Sequence, residues 1–398
     1  MQILFNPMDS KYVANPYPTL ARVREVAPRY WIPMLDSWML TRHDDVREVL
    51  RSDDVRSLGV EGFLSMAGAK PHRGPFYHAL EKWLVMLPPA DHQRVRSLLH
   101  RTFSSRSIAQ LEAQILPIAE MLLDAMLDKT GTVDVARDFA HPFPMLVIAD
   151  QLGVPREDWQ MFKRWSDDIA RMMDPTTMTG AEPAADRTAT EMFAYLGDIA
   201  RARARQPKQD IISLLVQERD GNRRLSEQEL LSNCLLMLFA GNETTMAMMC
   251  NSLLALIEHP EAEVDLRHEP GLLADAVDEF LRYDSPAPII GRFATRDFHL
   301  REAHIRAGQR VMLSLHGANR DPEAFANPDT LDFTRELKST TVAFGSGRHI
   351  CLGAHLARLE MRLGLGAFLD RVEHFELATS RLAYRFSMAL RSPDALPM

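Results

Sequence analysis

The feature that most constrains this chain is the run Phe344-Gly345-Ser346-Gly347-Arg348-His349-Ile350-Cys351-Leu352-Gly353, which leads straight into a helical stretch at 354–360. Glycines at 345, 347 and 353 let a backbone turn tightly and approach a flat partner closely. The following helix aims its first amide groups and the positive end of its dipole at the sulfur, which predicts a lowered thiol pKa. A thiolate so placed reads as a metal ligand. The competing reading is a cysteine packed as a small hydrophobe; three glycines and the cationic pair Arg348 and His349 favour ligation.

The rest of the sequence bounds what such a loop can belong to. Within 398 residues no Gly/Ser/Pro-rich linker divides the chain, so one large domain over 1–398 is expected. The apolar and charged fractions, 46% and 25%, suit a sizeable globular core. A net charge of −8 argues against nucleic acid as a partner. The first residues lack a cationic stretch followed by an apolar run, and no window of about 18 apolar residues occurs, so a cytoplasmic protein without a membrane anchor is expected. Three cysteines, 234, 250 and 351, fit a reducing compartment, with Cys234 and Cys250 read as core.

Helical periodicity dominates, at 18–26, 44–51, 91–103, 107–127, 187–205, 227–258 and 270–283. Extended segments at 30–32, 38–41 and 310–314 predict small β-sheets, giving a mainly α fold. Segments 58–75 and 173–185 carry glycines and prolines and read as irregular loops, the second a candidate lid and either one equally a plain surface connection.

The 227–258 helix holds a polar interruption, Ala240-Gly241-Asn242-Glu243-Thr244-Thr245, between apolar runs. Buried polar groups are costly unless used. Thr244 can bond back to the Ala240 carbonyl and Gly241 lacks a side chain, so the helix can bulge there and open a small cavity. Simple packing against a neighbour is the alternative. Asn242-Glu243-Thr244 also matches a glycosylation acceptor, which an apolar helix without a secretory signal disfavours.

The Cys351 loop resembles the haem-binding loop of the cytochrome P450 haem-thiolate monooxygenases, F-G-x-G-x-H-x-C-x-G, at every fixed position. The 240–245 string resembles that family's oxygen-activating motif, with Glu243 and Thr244 as its acid and alcohol. The resemblance implies the P450 fold, haem b (iron protoporphyrin IX), Cys351 as axial thiolate, and Ala240, Phe344, Gly345 and Gly353 against the ring. His92 and Arg96, in His92-Gln93-Arg94-Val95-Arg96, resemble the propionate-binding helix, and Arg292 and His349 match further propionate positions. Glu279 and Arg282 resemble the family's buried E-x-x-R pair, which Arg335 would join in a structural role.

By the same resemblance Met237, Phe239, Ala240, Ala287, Pro288, Ile289, Ile290, Phe386, Ser387 and Met388 fall where the family lines its substrate pocket, and their apolar character implies an apolar substrate. The implied reaction is monooxygenation, RH + O2 + 2e⁻ + 2H⁺ → ROH + H2O, by a monomer whose electrons come from a separate ferredoxin and ferredoxin reductase. Arg94, Arg101 and Arg348 are the candidate docking cations. The alternatives are a peroxide-driven reaction, which would not need Glu243 and Thr244, and a haem-binding sensor without turnover.

Overall fold

A computed structural model describes residues 6, 9–66, 73–174, 177–218, 224–337, 340–385, 387 and 389–398. Its axis is the helix Glu227–Glu258, hereafter the central helix. A reciprocal cap opens it: the Ser226 hydroxyl accepts from the Glu229 amide at 3.2 Å, and the Glu229 carboxylate accepts from the Ser226 amide at 2.9 Å. Pro260 stops it, because the ring cannot continue the preceding hydrogen-bond ladder. Around this axis pack the helices Pro142–Gln151, Trp159–Met173, Glu182–Arg205 and Ala354–Arg371. They bury it on nearly all sides, which is why its apolar residues show no single face.

The β part is small, as expected. β1 (Arg29–Ile32), β2 (Ser37–Leu40), β3 (Val55–Ser57), β4 (Ile289–Ala294) and β7 (Arg310–Ser314) form one sheet in the order β1-β2-β7-β4-β3, with β2 and β7 parallel. β5 (Phe298–Leu300) and β6 (Ala303–Ile305) form a separate hairpin. Among the described residues no helix is long and apolar enough to cross a membrane.

Three local expectations change. The 107–127 helix is two, Ser105–Ala109 and Glu112–Leu127, since Ser104 caps a short first turn through the Ser107 amide. The irregular 58–75 stretch contains the helix Gly59–Met66, and Gly62 there answers close packing: a Cβ at that position would lie 2.3 Å from the Phe293 ring. The proposed lid shrinks, because helices end at Met173 and resume at Glu182, and residues 175 and 176 lie outside the described set.

The segment after β7 is anchored on the helix Leu273–Tyr283. Glu279 and Arg282 are bonded twice at 2.7 Å, and both side chains are 0% exposed. Arg282 also donates to the carbonyls of Asn319, Pro328 and Thr330, at 2.7–3.0 Å. Glu279 accepts from the Asp332 amide and from Arg335 Nε, 3.2 Å away. Arg335 thus joins the pair and continues to the Ala326 and Asn327 carbonyls. The segment leading to the Cys351 loop is held by charge-assisted bonds rather than by regular structure.

A buried histidine gives the fold a pH dependence. His316 is 2% exposed, its Nε2–H donates to the Ser285 carbonyl, and burial pushes its pKa from 6.5 to about 4. Between those two values the unfolded chain binds a proton that the folded chain does not. Stability present above pH 6.5 is therefore lost as pH falls toward 4, by up to about 3 kcal/mol. Urea unfolding at about pH 7 and about pH 5 should show this loss, and His316→Asn should shrink it; an unchanged pH slope in that variant would assign the effect elsewhere.

Candidate active site

The Cys351 loop is clamped from both sides. The Cys351 amide donates to the Phe344 carbonyl at 2.9 Å and closes the loop on itself. Gly347 has φ +71°, and a Cβ there would lie 2.7 Å from the Leu50 carbonyl, so no side chain is accommodated. Arg51 Nε donates to Ser346 Oγ at 2.9 Å, and Arg348 pairs with Asp53. On the other side Arg358, bonded to Asp278, lies 4.6 Å from the centre of the Phe344 ring.

Cys351 itself is solvent-reachable although protein surrounds it. Burial raises its thiol pKa; the Gly353 amide, Arg96 and Arg358 pull it back, and the net shift is upward. The lowered value expected from the helix end is thus overturned in the bare thiol, because desolvation exceeds the pull of the amide and the two cations. The amide contribution itself is present as expected.

Near the loop sit four basic groups from three separate elements. His92 and Arg96 come from the helix Pro89–Thr102, Arg292 from β4 and His349 from the loop. The His92 and His349 rings are 4.1 Å apart between centroids. Burial, with the neighbouring arginines, pushes His92 down to about 4, and burial with His92 and the arginines pushes His349 down to about 3. Arg292 is pushed to about 10 by burial, and its side chain donates to the Gly291 carbonyl. Among the described residues no carboxylate pairs with Arg96 or Arg292. Arg94 points elsewhere, pairing with Glu229 and lying 3.7 Å from Asp91.

On the central helix the polar interruption divides by face. Thr244 Oγ1 donates to the Ala240 carbonyl at 2.7 Å, as expected, yet the helix runs through without a break. The anticipated bulge is absent, and Gly241 instead faces Ile148, where a Cβ would meet only ordinary contact at 3.7 Å. Ala240 is exposed in the middle of this otherwise buried helix, with Thr244 one turn on half-buried. Asn242 turns the other way and donates to Ser166 Oγ at 2.9 Å.

Glu243 is buried, its side chain 7% exposed, and has two basic neighbours that the sequence reading missed. Arg385 Nη1 donates to its Oε2 at 2.8 Å, and His141 Nε2 lies 3.7 Å from its Oε1. Burial alone would raise this carboxyl, but His141 and Arg385 outweigh it and hold the pKa below the usual range. His141 also lies 3.9 Å from Asp167, which Lys163 holds at 2.8 Å.

Comparison with known proteins decides the family. Residues 25–385 match the family Cytochrome P450. The chain belongs to the cytochrome P450 family. A biotin biosynthesis cytochrome P450 of Bacillus subtilis (strain 168) is 34% identical, over 100% of this chain and 99% of that protein. A vitamin D(3) 25-hydroxylase of Pseudonocardia autotrophica is 37% identical, over 96% and 93%. Among solved structures, P450BioI in complex with an acyl carrier protein ligated to hexadec-9Z-enoic acid superposes with a TM-score of 0.88 at 32% identity, covering 98% of each chain. CYP109E1 of Bacillus megaterium in complex with corticosterone gives a TM-score of 0.86 at 28% identity, covering 97% and 98%.

P450 enzymes carry haem iron, and the residues of this P450 fit such a group. Four clustered basic side chains from separate elements lack carboxylate partners among the described residues, which suits an incoming pair of carboxylates. A solvent-reachable cysteine in a glycine loop and an exposed alanine amid a buried helix leave room for a flat group.

The pocket-lining expectations divide. Ala287, Ile289 and Ile290 are half-buried and Met237 is buried, while Met388 and Phe386 lie outside the described residues. Ile289 and Ile290 are neighbours on β4, so they face opposite sides of the sheet. Ile290 lies on the Cys351-loop side, 3.6 Å from where a Cβ of Gly345 would be; Ile289 packs with Val23, Tyr30 and Met312. The expected docking cations are all engaged: Arg94 with Glu229, Arg101 with Glu218 at 2.6 Å, and Arg348 with Asp53.

Proposed function

We propose that this P450 uses haem b to insert one atom of O2 into a small, largely apolar organic substrate, with electrons from a separate ferredoxin and its reductase. The observation that carries this reading is the pair on the central helix, a Thr244 hydroxyl turned onto the Ala240 carbonyl beside a buried, ionised Glu243. In the proposal Cys351 Sγ would be the thiolate that ligates the haem iron, and His92, Arg96, Arg292 and His349 would hold its two propionates. Ala240, Phe344, Gly345 and Gly353 would pack against the group. When bound, the thiolate-ligated haem supplies reductive O2 activation.

The chain's own residues supply the protons and the shape. With its hydrogen on Ala240 O, Thr244 Oγ1 offers its lone pairs as acceptors toward the exposed stretch around Ala240. Glu243, kept ionised beside Arg385 and His141, can take up a proton at Oε1 and, in the proposal, pass it toward Thr244 through intervening water. Met237, Ala287 and Ile290 supply apolar walls. The apolar ligands and substrates named for relatives, corticosterone and vitamin D(3), support a substrate of that character. A ferredoxin that docked on Arg94, Arg101 or Arg348 would meet side chains already paired with carboxylates, so part of its docking energy would come from exchanging those pairs.

Thr244→Ala tests the reading. The variant should retain haem and substrate affinity, lower product formation by roughly tenfold or more, and release the diverted electrons as hydrogen peroxide. Reduced cofactor consumed, product and peroxide are measured together. Tight coupling in the variant would remove the proton role, and faster turnover with added peroxide than with O2 and reduced ferredoxin would favour the peroxide-driven alternative.

A further inference from the structure

The hairpin of β5 and β6 carries two histidines that the proposed reaction does not use. His299 and His304 are directly opposed across the two strands, next to the closing pair Leu300 and Ala303. Alternation along each strand buries Leu300, Ala303 and Ile305 and leaves both imidazoles exposed. Leu300 and Ile305 belong to an apolar cluster with Val46, Val49 and Val311, so the inner face of the hairpin is anchored and its outer face carries the histidines. Their rings lie nearly parallel, with 9° between planes and 4.6 Å between centroids. Asp297 stands beside them: Oδ2 lies 3.6 Å from His304 Nε2, while Oδ1 accepts from the Ala307 amide at 2.8 Å, which fixes the carboxylate. The charged residues of the turn are already engaged, Arg301 with Asp45 at 3.6 Å and Glu302 with Arg29.

Imidazole nitrogen suits borderline divalent metals such as Zn²⁺, Ni²⁺ and Cu²⁺, whereas hard Mg²⁺ takes oxygen. We propose that His299 and His304 form a two-histidine chelate for one such borderline ion on the outer face of the hairpin, with water completing its coordination. Two nitrogens bound to one ion at about 2.1 Å stand roughly 3–3.5 Å apart. Opposed residues on paired strands have Cβ atoms about 5 Å apart, so rings already parallel need only turn one edge of each toward the ion. The ladder holds the second imidazole next to the first, which makes its ligation intramolecular. Asp297 is placed to accept the Nε2 hydrogen of His304, an outer carboxylate that would orient the ring and leave Nδ1 to ligate. Among the described residues no three His, Cys, Asp or Glu side chains converge on a common point, so the site is an open and exchangeable one rather than a closed structural centre. The bound ion would tie β5 to β6.

Calorimetric titration of the haem-loaded protein with nickel chloride and with zinc chloride tests the site, and magnesium chloride serves as the hard-cation control. The wild type should bind one Ni²⁺ or Zn²⁺ per chain here and no Mg²⁺ at the same concentration. His299→Ala and His304→Ala should each weaken that binding by about tenfold or more, because either leaves a single imidazole. Both positions face solvent, so far-ultraviolet circular dichroism should be unchanged in the two variants. His374→Ala removes a lone exposed histidine beside Glu376 and should leave the affinity as it is. No binding of Ni²⁺ or Zn²⁺ to the wild type, binding that survives either hairpin substitution, a loss equally produced by His374→Ala, or Mg²⁺ bound as tightly as Ni²⁺ would each overturn the proposal.

Discussion

Replacing Cys351 with alanine is expected to abolish the red-shifted Soret band that the reduced protein should show under carbon monoxide, and substrate oxidation with it. The reasoning lies in the donor set. Cys351 is a solvent-reachable thiol with an amide and two cations drawing down its pKa, and ligation by a metal would remove the proton outright. No other thiol can replace it, since Cys234 and Cys250 are buried in the central helix and burial pushes each to about 12. The loop should survive the change, because the Cys351 amide keeps its bond to Phe344 and Gly347 keeps its turn. Cys234→Ala and Cys250→Ala should leave the band in place. A wild-type band at the position of a histidine-ligated haem would overturn the ligand assignment.

What the sequence revealed and what it hid follow from the reach of each interaction. The central helix was legible at both ends because its signals are local: Ser226 with Glu229 at the start, Pro260 at the stop. The Thr244 bond to Ala240 was legible for the same reason, being one turn long. The helix Pro142–Gln151 escaped notice because nearly every residue is buried, so there is no polar face to mark a period. The partners of Glu243 were invisible because Arg385 is 142 residues away and His141 is 102. Such pairs exist only once tertiary packing has fixed which element covers which. Pairing of Arg94, Arg101 and Arg348 with carboxylates is of the same kind, and it turned an apparent basic patch into three ion pairs.

The largest effect on stability is expected at Arg282. Arg282→Ala would leave the 0% exposed Glu279 with Arg335 Nε, 3.2 Å away, as its remaining cation, and would strip three carbonyls of their donor. Breaking a buried pair from one side costs about 3–5 kcal/mol, set against a total stability of about 5–15 kcal/mol. Urea unfolding should therefore show a protein near or past its limit, with haem content falling in parallel because the segment leading to the Cys351 loop is released. The double variant Glu279→Leu with Arg282→Met is the sharper experiment. Where an ion pair stands alone, replacing both partners by apolar groups is often neutral or stabilising. Here the pair also satisfies the Asn319, Pro328 and Thr330 carbonyls, the Asp332 amide and Arg335, each of which costs roughly 1–3 kcal/mol when orphaned in the interior. The double variant should consequently be no more stable than either single one. Recovery to wild-type stability would mean that the charges alone matter and that the carbonyl bonds of Arg282 do not hold the segment before the cysteine.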